Sequence, residues 1–388
     1  MNPAAPEPAS VASSALSRRT LLIAGAGAAA GLALAGAGAV RAHAAVAEPW
    51  WAELSPRQRA GQRVIFSYPG ATPPQELLDA IAAGTVGGVI FFGENITSLA
   101  QIADVVAQLR AAQASSPVRE PLLFMTDQEG GFIRRLRGQE PVLSEKKIGL
   151  APDPDAAAAA AGAGAAAALR NVGMNLNLAP VLDVFRTPGN FDDQWERSYS
   201  SDPLVAARLG ADFVRAQQGA GVAATAKHFP GLGAASAAEN TDLGPVTLTQ
   251  SLDELRSVDE AAFADAIAAG VQLVMTSWAI YPALDPDFPA GLSPTIVQGE
   301  LRDRLGFTGV TITDALEAGS LDAFGGTGFR ALLSAQAGMD LLLCSGRDIG
   351  QGFDALDAIT AALEDKTLNP GHFKQSLRRV QELRAGLF

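Results

Sequence analysis

Short apolar segments alternate with helical segments eight times along this chain, and this alternation limits the possible folds more than any other feature. Each apolar segment is rich in Val, Ile, Leu or Phe and is followed by a stretch with helical character. Continuous apolar strands of this kind predict a parallel sheet covered by helices on its faces. The predicted strands lie at 62–68, 87–92, 121–125, 174–179, 222–226, 271–276, 309–313 and 340–344.

Helices are expected between and after these strands. Eight strand–helix units in about 340 residues predict one α/β domain, a single (β/α)8 TIM-like barrel that spans 48–388. The alternative is an open doubly wound sheet, which favours a glycine-rich phosphate loop after an early strand, and the sequence has no such loop there. The predicted helices lie at 74–83, 98–113, 155–172, 202–218, 251–269, 293–305, 328–337, 349–363 and 371–387.

The N-terminal segment 1–44 is predicted to be an export signal rather than part of the fold. Paired arginines, Arg18 and Arg19, stand directly before the apolar stretch 21–40, which is almost entirely Ala, Gly and Leu. The stretch ends at a small-x-small site, so cleavage is expected after Ala44. The pattern resembles a twin-arginine signal. It predicts an extracellular or cell-envelope protein without a stable membrane anchor after cleavage; the alternative is an uncleaved anchor.

Composition excludes several classes of function. A net charge of −12 and a pI near 4.8 argue against a nucleic-acid partner, which requires a basic face. The single cysteine, Cys344, excludes a disulfide framework and a multi-thiolate metal site. The three histidines, His43, His228 and His372, leave little room for a histidine-based metal cluster. We therefore expect no metal and no cofactor. The oligomeric state stays open.

Polar residues follow four of the predicted strands. Asp127, Asp183, the pair Lys227-His228 and Asp314 each stand at or just after the end of an apolar run. A charged group beside a buried strand is costly unless it is paired or solvated. In a barrel of this kind, catalytic groups lie at the C-terminal ends of the strands. Together with Arg197, these residues predict a site for a ligand with many hydroxyl groups.

Several longer segments resemble glycoside hydrolase family 3. The resemblance is closest to its single-domain bacterial β-N-acetylglucosaminidases (β-N-acetylhexosaminidases), which act in peptidoglycan recycling. It runs in order from about residue 50 to the C-terminus. The segments that carry it are Asp127-Gln128-Glu129-Gly130-Gly131, Asn175 to Val184, Glu196-Arg197-Ser198-Tyr199, Lys227-His228-Phe229-Pro230-Gly231, Tyr281-Pro282-Ala283-Leu284, Leu305 to Val310 and Thr313-Asp314.

The resemblance implies a retaining hydrolysis of β-linked sugars. Asp314 corresponds to the carboxylate that attacks the anomeric carbon and forms a glycosyl-enzyme. A neighbouring Lys227 or Arg197 is expected to keep the pKa of Asp314 low. The resemblance also gives sugar-binding roles to a set of four residues, Asp127, Arg197, Lys227 and His228.

One catalytic motif of these relatives is missing. They carry an Asp-Ser-His triplet after the Lys-His-Phe-Pro-Gly block, and its histidine is the general acid/base. Here Glu239-Asn240-Thr241 occupies about that place, and the loop has no histidine. Three alternatives stay open: Asp242 or Glu239 supplies the proton, another chain supplies it, or the protein binds a sugar or muropeptide and hydrolyses it poorly. A barrel of unrelated chemistry, such as an aldolase with Lys227 as a Schiff-base lysine, is a weaker interpretation.

Overall fold

The eight predicted apolar segments form one parallel sheet in the computed structural model, which describes residues 50–388. The predicted signal segment lies outside the described residues. The strands pair in chain order, and the last strand pairs with the first. Their bounds are β1 (Val64–Phe66), β2 (Gly88–Ile90), β3 (Leu123–Thr126), β4 (Leu176–Asn177), β5 (Ala223–Phe229), β6 (Leu273–Thr276), β7 (Val310–Ile312) and β8 (Leu342–Leu343).

The sheet closes into a barrel between β7 and β8. Ile312 forms a parallel bridge with Leu341, directly before β8. The backbone N–H of Thr313 donates to the carbonyl oxygen of Leu341 at 3.0 Å. The predicted (β/α)8 barrel is therefore confirmed. One strand is longer than predicted, because β5 continues through Lys227 and His228 to Phe229.

Helices lie where the sequence predicts them, with small differences at their ends. Ahead of the alanine-rich helix, Asp153 accepts a hydrogen bond from the N–H of Ala156, and Pro154 occupies the first turn, as its sequence indicates. The helices are Pro56–Gly61, Gln75–Ala82, Leu99–Gln113, Glu145–Gly149, Pro154–Asn171, Phe191–Gln194, Pro203–Gly219, Leu252–Glu254, Glu260–Ala268, Thr327–Ala337, Ile349–Glu364 and Pro370–Ala385, with π-helical Leu255–Asp259 and Thr295–Arg304 and 3-10 turns Trp50–Glu53, Gly93–Asn95, Ala290–Leu292 and Gly319–Phe324.

The core has two layers because side chains alternate across each strand. In β1, Ile65 packs with strand residues of the barrel interior, whereas Val64 and Phe66 pack against the surrounding helices. Val380 and Leu383 of the last helix join the interior cluster. Within residues 50–388, no helix is both long enough and apolar enough to span a bilayer. Because the strands are packed on both of their faces, the loops that follow them start from a buried core.

Two short antiparallel hairpins follow the barrel strands. Gln128–Gly130 pairs with Ile133–Arg134 directly after β3, and Ile280–Tyr281 pairs with Asp285–Pro289 after β6. The sequence analysis does not anticipate either hairpin. The first one matters for function because it places Glu129 beside Asp127 at the same end of the barrel.

Candidate active site

A cavity of about 900 Å³ opens at the C-terminal ends of the strands, where a barrel of this type places its active site. Six of the eight candidate residues from the sequence line it. Asp183 and Glu239 are the exceptions. The lining includes Asp127, Glu129, Arg135, Arg197, Lys227, His228, Asp242, Asp314, Glu317 and Arg347, with Trp195 and Leu243 among its apolar members.

Lys227 lies at the centre of a buried ion-pair network. Its Nζ is 2.8 Å from Asp127 Oδ1 and 2.7 Å from Glu129 Oε1. Burial lowers the pKa of Lys227, but the two carboxylates outweigh burial and raise it. Burial likewise raises the pKa of Asp127, yet Lys227 and Arg135 hold it below its ordinary value. A Schiff-base lysine must be neutral to attack, so the aldolase interpretation does not fit this amine.

Arg197 extends the same network. Its Nε and a terminal nitrogen contact the two oxygens of Glu129 at 2.8 and 3.0 Å, a bidentate pair. Its other terminal nitrogen is 2.6 Å from Asp192 Oδ1. Such paired, charge-assisted bonds fix the orientation of both partners. Lys227, Arg197 and Asp127 are therefore held in fixed positions at the cavity wall.

His228 is oriented by the buried Asp183. The Nδ1 atom of His228 lies 2.6 Å from Asp183 Oδ2, and Asp183 Oδ1 accepts a 2.6 Å bond from the N–H of Leu232. Burial lowers the pKa of His228 to about 4, with a further contribution from Arg197. The imidazole is therefore neutral at pH 7, its Nδ1–H donates to Asp183, and its Nε2 is left as a hydrogen-bond acceptor.

Asp183, Asp192 and His228 also lie close enough together to be considered as metal ligands. One donor atom from each falls within 4.8 Å of the others, and Asp192 Oδ2 has no hydrogen-bond partner. The same groups already form the His228–Asp183 hydrogen bond and the Arg197–Asp192 ion pair. These contacts account for the cluster by themselves, and we assign no metal-dependent step to it.

Asp314 follows β7 and lines the cavity. One of its carboxylate oxygens accepts a 2.8 Å bond from the N–H of Ala315. Burial raises its pKa, an effect that His228 reduces and Asp242 increases. The expectation that Lys227 or Arg197 keeps the pKa of Asp314 low is therefore wrong. Both cations form their short contacts with other carboxylates, so burial dominates at Asp314.

Asp242 reaches the cavity because its loop is attached to the segment that follows Asp314. The carbonyl oxygen of Thr241 accepts a 3.1 Å bond from the N–H of Ser320. The carbonyl oxygen of Asp242 accepts a 2.9 Å bond from the N–H of Gly319. Asp242 as a whole is exposed, but partial burial of its carboxyl group in the cavity raises its pKa; Arg197 opposes this effect and Glu317 adds to it. The structure thus brings Asp242 and Asp314 into one cavity.

Glu239 does not join them. It is half-buried, and its Oε2 accepts a 2.7 Å bond from the N–H of Ser236 in the same loop. It is absent from the cavity lining. The two acidic residues that the sequence offered as equivalent proton donors therefore differ in position, since Asp242 lines the cavity and Glu239 does not.

Several residues of the site were not identified from the sequence. Glu129 could have been predicted from its spacing. It lies two residues after Asp127 in an extended segment, where the side chains of alternate residues point to the same side. Asp183 was singled out only as a polar strand end, and its contact with His228 depends on the approach of two different strand ends. No local pattern marks Glu317, which is held by Ser345 Oγ at 2.7 Å and Gln351 Nε2 at 3.0 Å.

Comparison with known proteins identifies the family of this chain. Residues 58–383 match the glycosyl hydrolase family 3 N-terminal domain. The chain belongs to glycoside hydrolase family 3. Its membership confirms the resemblance drawn from the sequence motifs, and it makes this protein a glycosidase that acts on carbohydrate substrates.

Three relatives show how far the similarity extends. A protein described as an uncharacterized secreted glycosyl hydrolase of Arthroderma benhamiae is 46% identical over 346 residues, 89% of this chain and 97% of its own length. The structure of a family 3 β-N-acetylglucosaminidase from Paenibacillus sp. FPU-7 superimposes with a TM-score of 0.80 at 36% identity, covering 85% of this chain and 62% of that one. A β-N-acetylhexosaminidase structure from Beutenbergia cavernae gives 0.78 at 34% identity, covering 86% and 99%.

Proposed function

We propose that this family 3 enzyme is an exported, retaining β-glycosidase that hydrolyses β-N-acetylhexosaminides from cell-wall material. Asp314 is the nucleophile and Asp242 is the general acid/base. The observation that carries the proposal is the pair of backbone hydrogen bonds that fix the Asp242 loop to the segment just after Asp314. These bonds bring two carboxyl groups to one cavity, as glycosidases of both stereochemical classes require, and the family 3 membership supports the retaining course.

Substrate binding is assigned to the charged network on the wall of the cavity. Lys227 and Arg197 donate to sugar hydroxyl groups, and Asp127 accepts from them. His228 accepts a hydrogen bond from a hydroxyl group through Nε2, because its Nδ1–H donates to Asp183. Each of these side chains is held by partners on the protein, so little conformational entropy is lost when the sugar binds.

The reaction proceeds in two steps. In the first, Asp314 attacks the anomeric carbon, the bond to the leaving oxygen breaks, and Asp242 gives its proton to that oxygen. In the second, water attacks the glycosyl-enzyme, Asp242 takes the proton of the water, and Asp314 is released as a carboxylate. A raised pKa suits Asp242, which must carry a proton at the start of the cycle.

Export and substrate class rest on different support. The twin-arginine pattern in 1–44 supports export, and a relative that spans most of this chain is described as secreted. The names of the structural relatives support N-acetylated sugars as substrates. The altered loop after the Lys227-His228 block also forms part of the cavity rim, so it is the feature on which sugar preference depends.

The test compares aryl β-N-acetylglucosaminides that differ in how much their leaving group needs a proton. Asp314→Ala is expected to abolish kcat/KM on both phenyl and 2,4-dinitrophenyl substrates. Asp242→Ala is expected to lower kcat/KM on the phenyl substrate by about 10²–10⁴-fold and to change it little on the dinitrophenyl substrate. Azide is expected to restore the turnover of Asp242→Ala as a glycosyl azide. Glu239→Ala, from the same loop, is the matched control.

Two outcomes would reject parts of this assignment. Unchanged turnover in Asp314→Ala would remove the nucleophile assignment. If the wild type binds N-acetylglucosamine saturably but hydrolyses neither substrate, the protein is a sugar-binding member of the family on a catalytically impaired scaffold. Since the dinitrophenyl group leaves without a proton, the second result cannot be attributed to the missing histidine alone.

A further inference from the structure

Four cationic side chains line the cavity, and three of them pair with carboxylates. Lys227 and Arg197 form the short contacts given above, and Arg135 lies 3.6 Å from Asp127 Oδ2. Arg347 is the fourth. Within residues 50–388, no carboxylate oxygen lies within 4.0 Å of its guanidinium. The cavity therefore presents one cation whose charge is not matched by a neighbouring residue.

The protein fixes the position of Arg347 without neutralising it. Its backbone N–H donates to Ser67 Oγ at 2.8 Å, and the preceding Gly346 N–H donates to Gln351 Oε1 at 2.8 Å. Its guanidinium carbon lies 5.2 Å from the centre of the Phe92 ring. A cation over an aromatic face is held electrostatically, while its N–H groups keep their capacity to donate in the plane of the guanidinium.

The position of Arg347 in the barrel indicates which part of a substrate it meets. It follows β8 and rests on Phe92, which follows β2, so it belongs to the β8–β1–β2 side of the barrel. Of the residues assigned to the hydroxyl groups of the reacting sugar, Asp127 follows β3 and Arg197 follows β4. Lys227 and His228 lie at the end of β5. Arg347 therefore faces a part of the substrate beyond the hydroxyl groups that those residues hold.

We propose that Arg347 binds a carboxylate on the leaving-group side of the substrate, so that the enzyme prefers β-glycosides with an acidic aglycone. This inference rests on the proposed function, because it names the substrate class of the same site. A monoanion fits better than a phosphate dianion, because five carboxylates also line the cavity: Asp127, Glu129, Asp242, Asp314 and Glu317.

The experiment measures kcat/KM for two aryl β-N-acetylglucosaminides that differ only at the aglycone. One carries the 3-carboxy-4-nitrophenyl group and the other carries its methyl ester. The wild type is expected to prefer the carboxylate, and Arg347→Gln is expected to lower the ratio of the two constants by about five- to tenfold. Arg347→Lys is expected to keep part of the preference for the carboxylate. Added NaCl is expected to reduce this preference in the wild type, because the arginine is exposed to solvent.

Arg119→Gln is the matched control, since Arg119 is an exposed arginine ahead of β3, at the other end of the barrel. Equal ratios in wild type and Arg347→Gln would overturn the proposal. A second arm uses a glycoside with a carboxylate on the sugar and a neutral leaving group. An effect of Arg347→Gln in that arm alone would also overturn it, because the anion would then belong to the sugar.

Failure of the proposed function gives a different pattern. If neither substrate is hydrolysed by the wild type, the glycosidase assignment fails. Calorimetric titration with the same two intact glycosides then decides the role of Arg347. Tighter binding of the carboxylate by wild type than by Arg347→Gln supports it, and equal binding contradicts it.

Discussion

The carbonyl oxygen of Asp242 accepts a 2.9 Å hydrogen bond from the backbone N–H of Gly319. This bond joins the loop after β5 to the segment after β7, which carries Asp314 five residues earlier. The approach is close, because a Cβ added at Gly319 would lie 2.8 Å from the carbonyl carbon of Leu243 and 3.0 Å from the Asp242 oxygen. The absence of a Cβ at Gly319 thus allows the loop that carries Asp242 to dock close to Asp314.

Gly319→Ala is expected to displace this loop and to separate the two carboxyl groups. We expect kcat/KM on a phenyl glycoside to fall roughly 10- to 100-fold, because a misplaced acid loses most of its benefit. The dinitrophenyl substrate should be affected much less. Gly244→Ala is the control, since a Cβ there meets no atom within 4 Å. An equal loss on both substrates would show that Gly319 serves the fold rather than proton transfer.

The pH profile should reflect the raised pKa of Asp314. The nucleophile must be ionised, so kcat/KM falls as the pH drops through that pKa, and the acid limb should lie above the ordinary value of about 3.9. Asp242 contributes to the increase. Asp242→Asn removes that negative charge and is expected to move the acid limb on the dinitrophenyl substrate to lower pH. A limb that stays in place would show that the two carboxyl groups do not interact.

His228 should make stability depend on pH in a defined direction. Its pKa is about 4 in the folded protein and 6.5 in the reference state. As the pH falls from 6.5 to 4, the unfolded chain takes up the proton first, so stability is lost in that interval. The loss amounts to about 3 kcal/mol.

The measurement compares urea unfolding of wild type and His228→Asn at pH 7 and pH 4.5. Other buried groups contribute to both proteins, including Asp192, whose pKa burial raises to about 6. The difference between the two proteins isolates His228. The wild type should lose more stability than the variant on acidification. A parallel decline in both would mean that folding does not shift the pKa of His228, and a smaller loss in the wild type would mean that folding raises it.

The barrel could be predicted from the sequence because each strand is a local apolar run and each helix follows it directly. Three of the four polar strand ends line one cavity, and the fourth, Asp183, contacts His228 there, since the architecture brings every strand end to the same face. Position along the chain was therefore enough to group Asp127, Lys227, His228 and Asp314.

The charge state of these residues could not be predicted in the same way. Whether a cation lowers the pKa of Asp314 depends on which carboxylate it contacts, and Lys227 contacts Asp127 and Glu129 instead. The choice between Asp242 and Glu239 depends on loop docking through backbone atoms, which carry no sequence signature. Both questions involve distances between segments that are remote in the chain.

The central claim is that Asp314 forms a covalent bond to the sugar, and trapping the glycosyl-enzyme tests it most directly. The enzyme is incubated with 5-fluoro-N-acetylglucosaminyl fluoride, whose second fluorine slows both steps while its activated leaving group keeps the first accessible. Intact-mass measurement should show one added sugar, and peptide sequencing should place it on Asp314. An adduct on another residue, or continued turnover of aryl glycosides without any adduct on Asp314, would contradict the account.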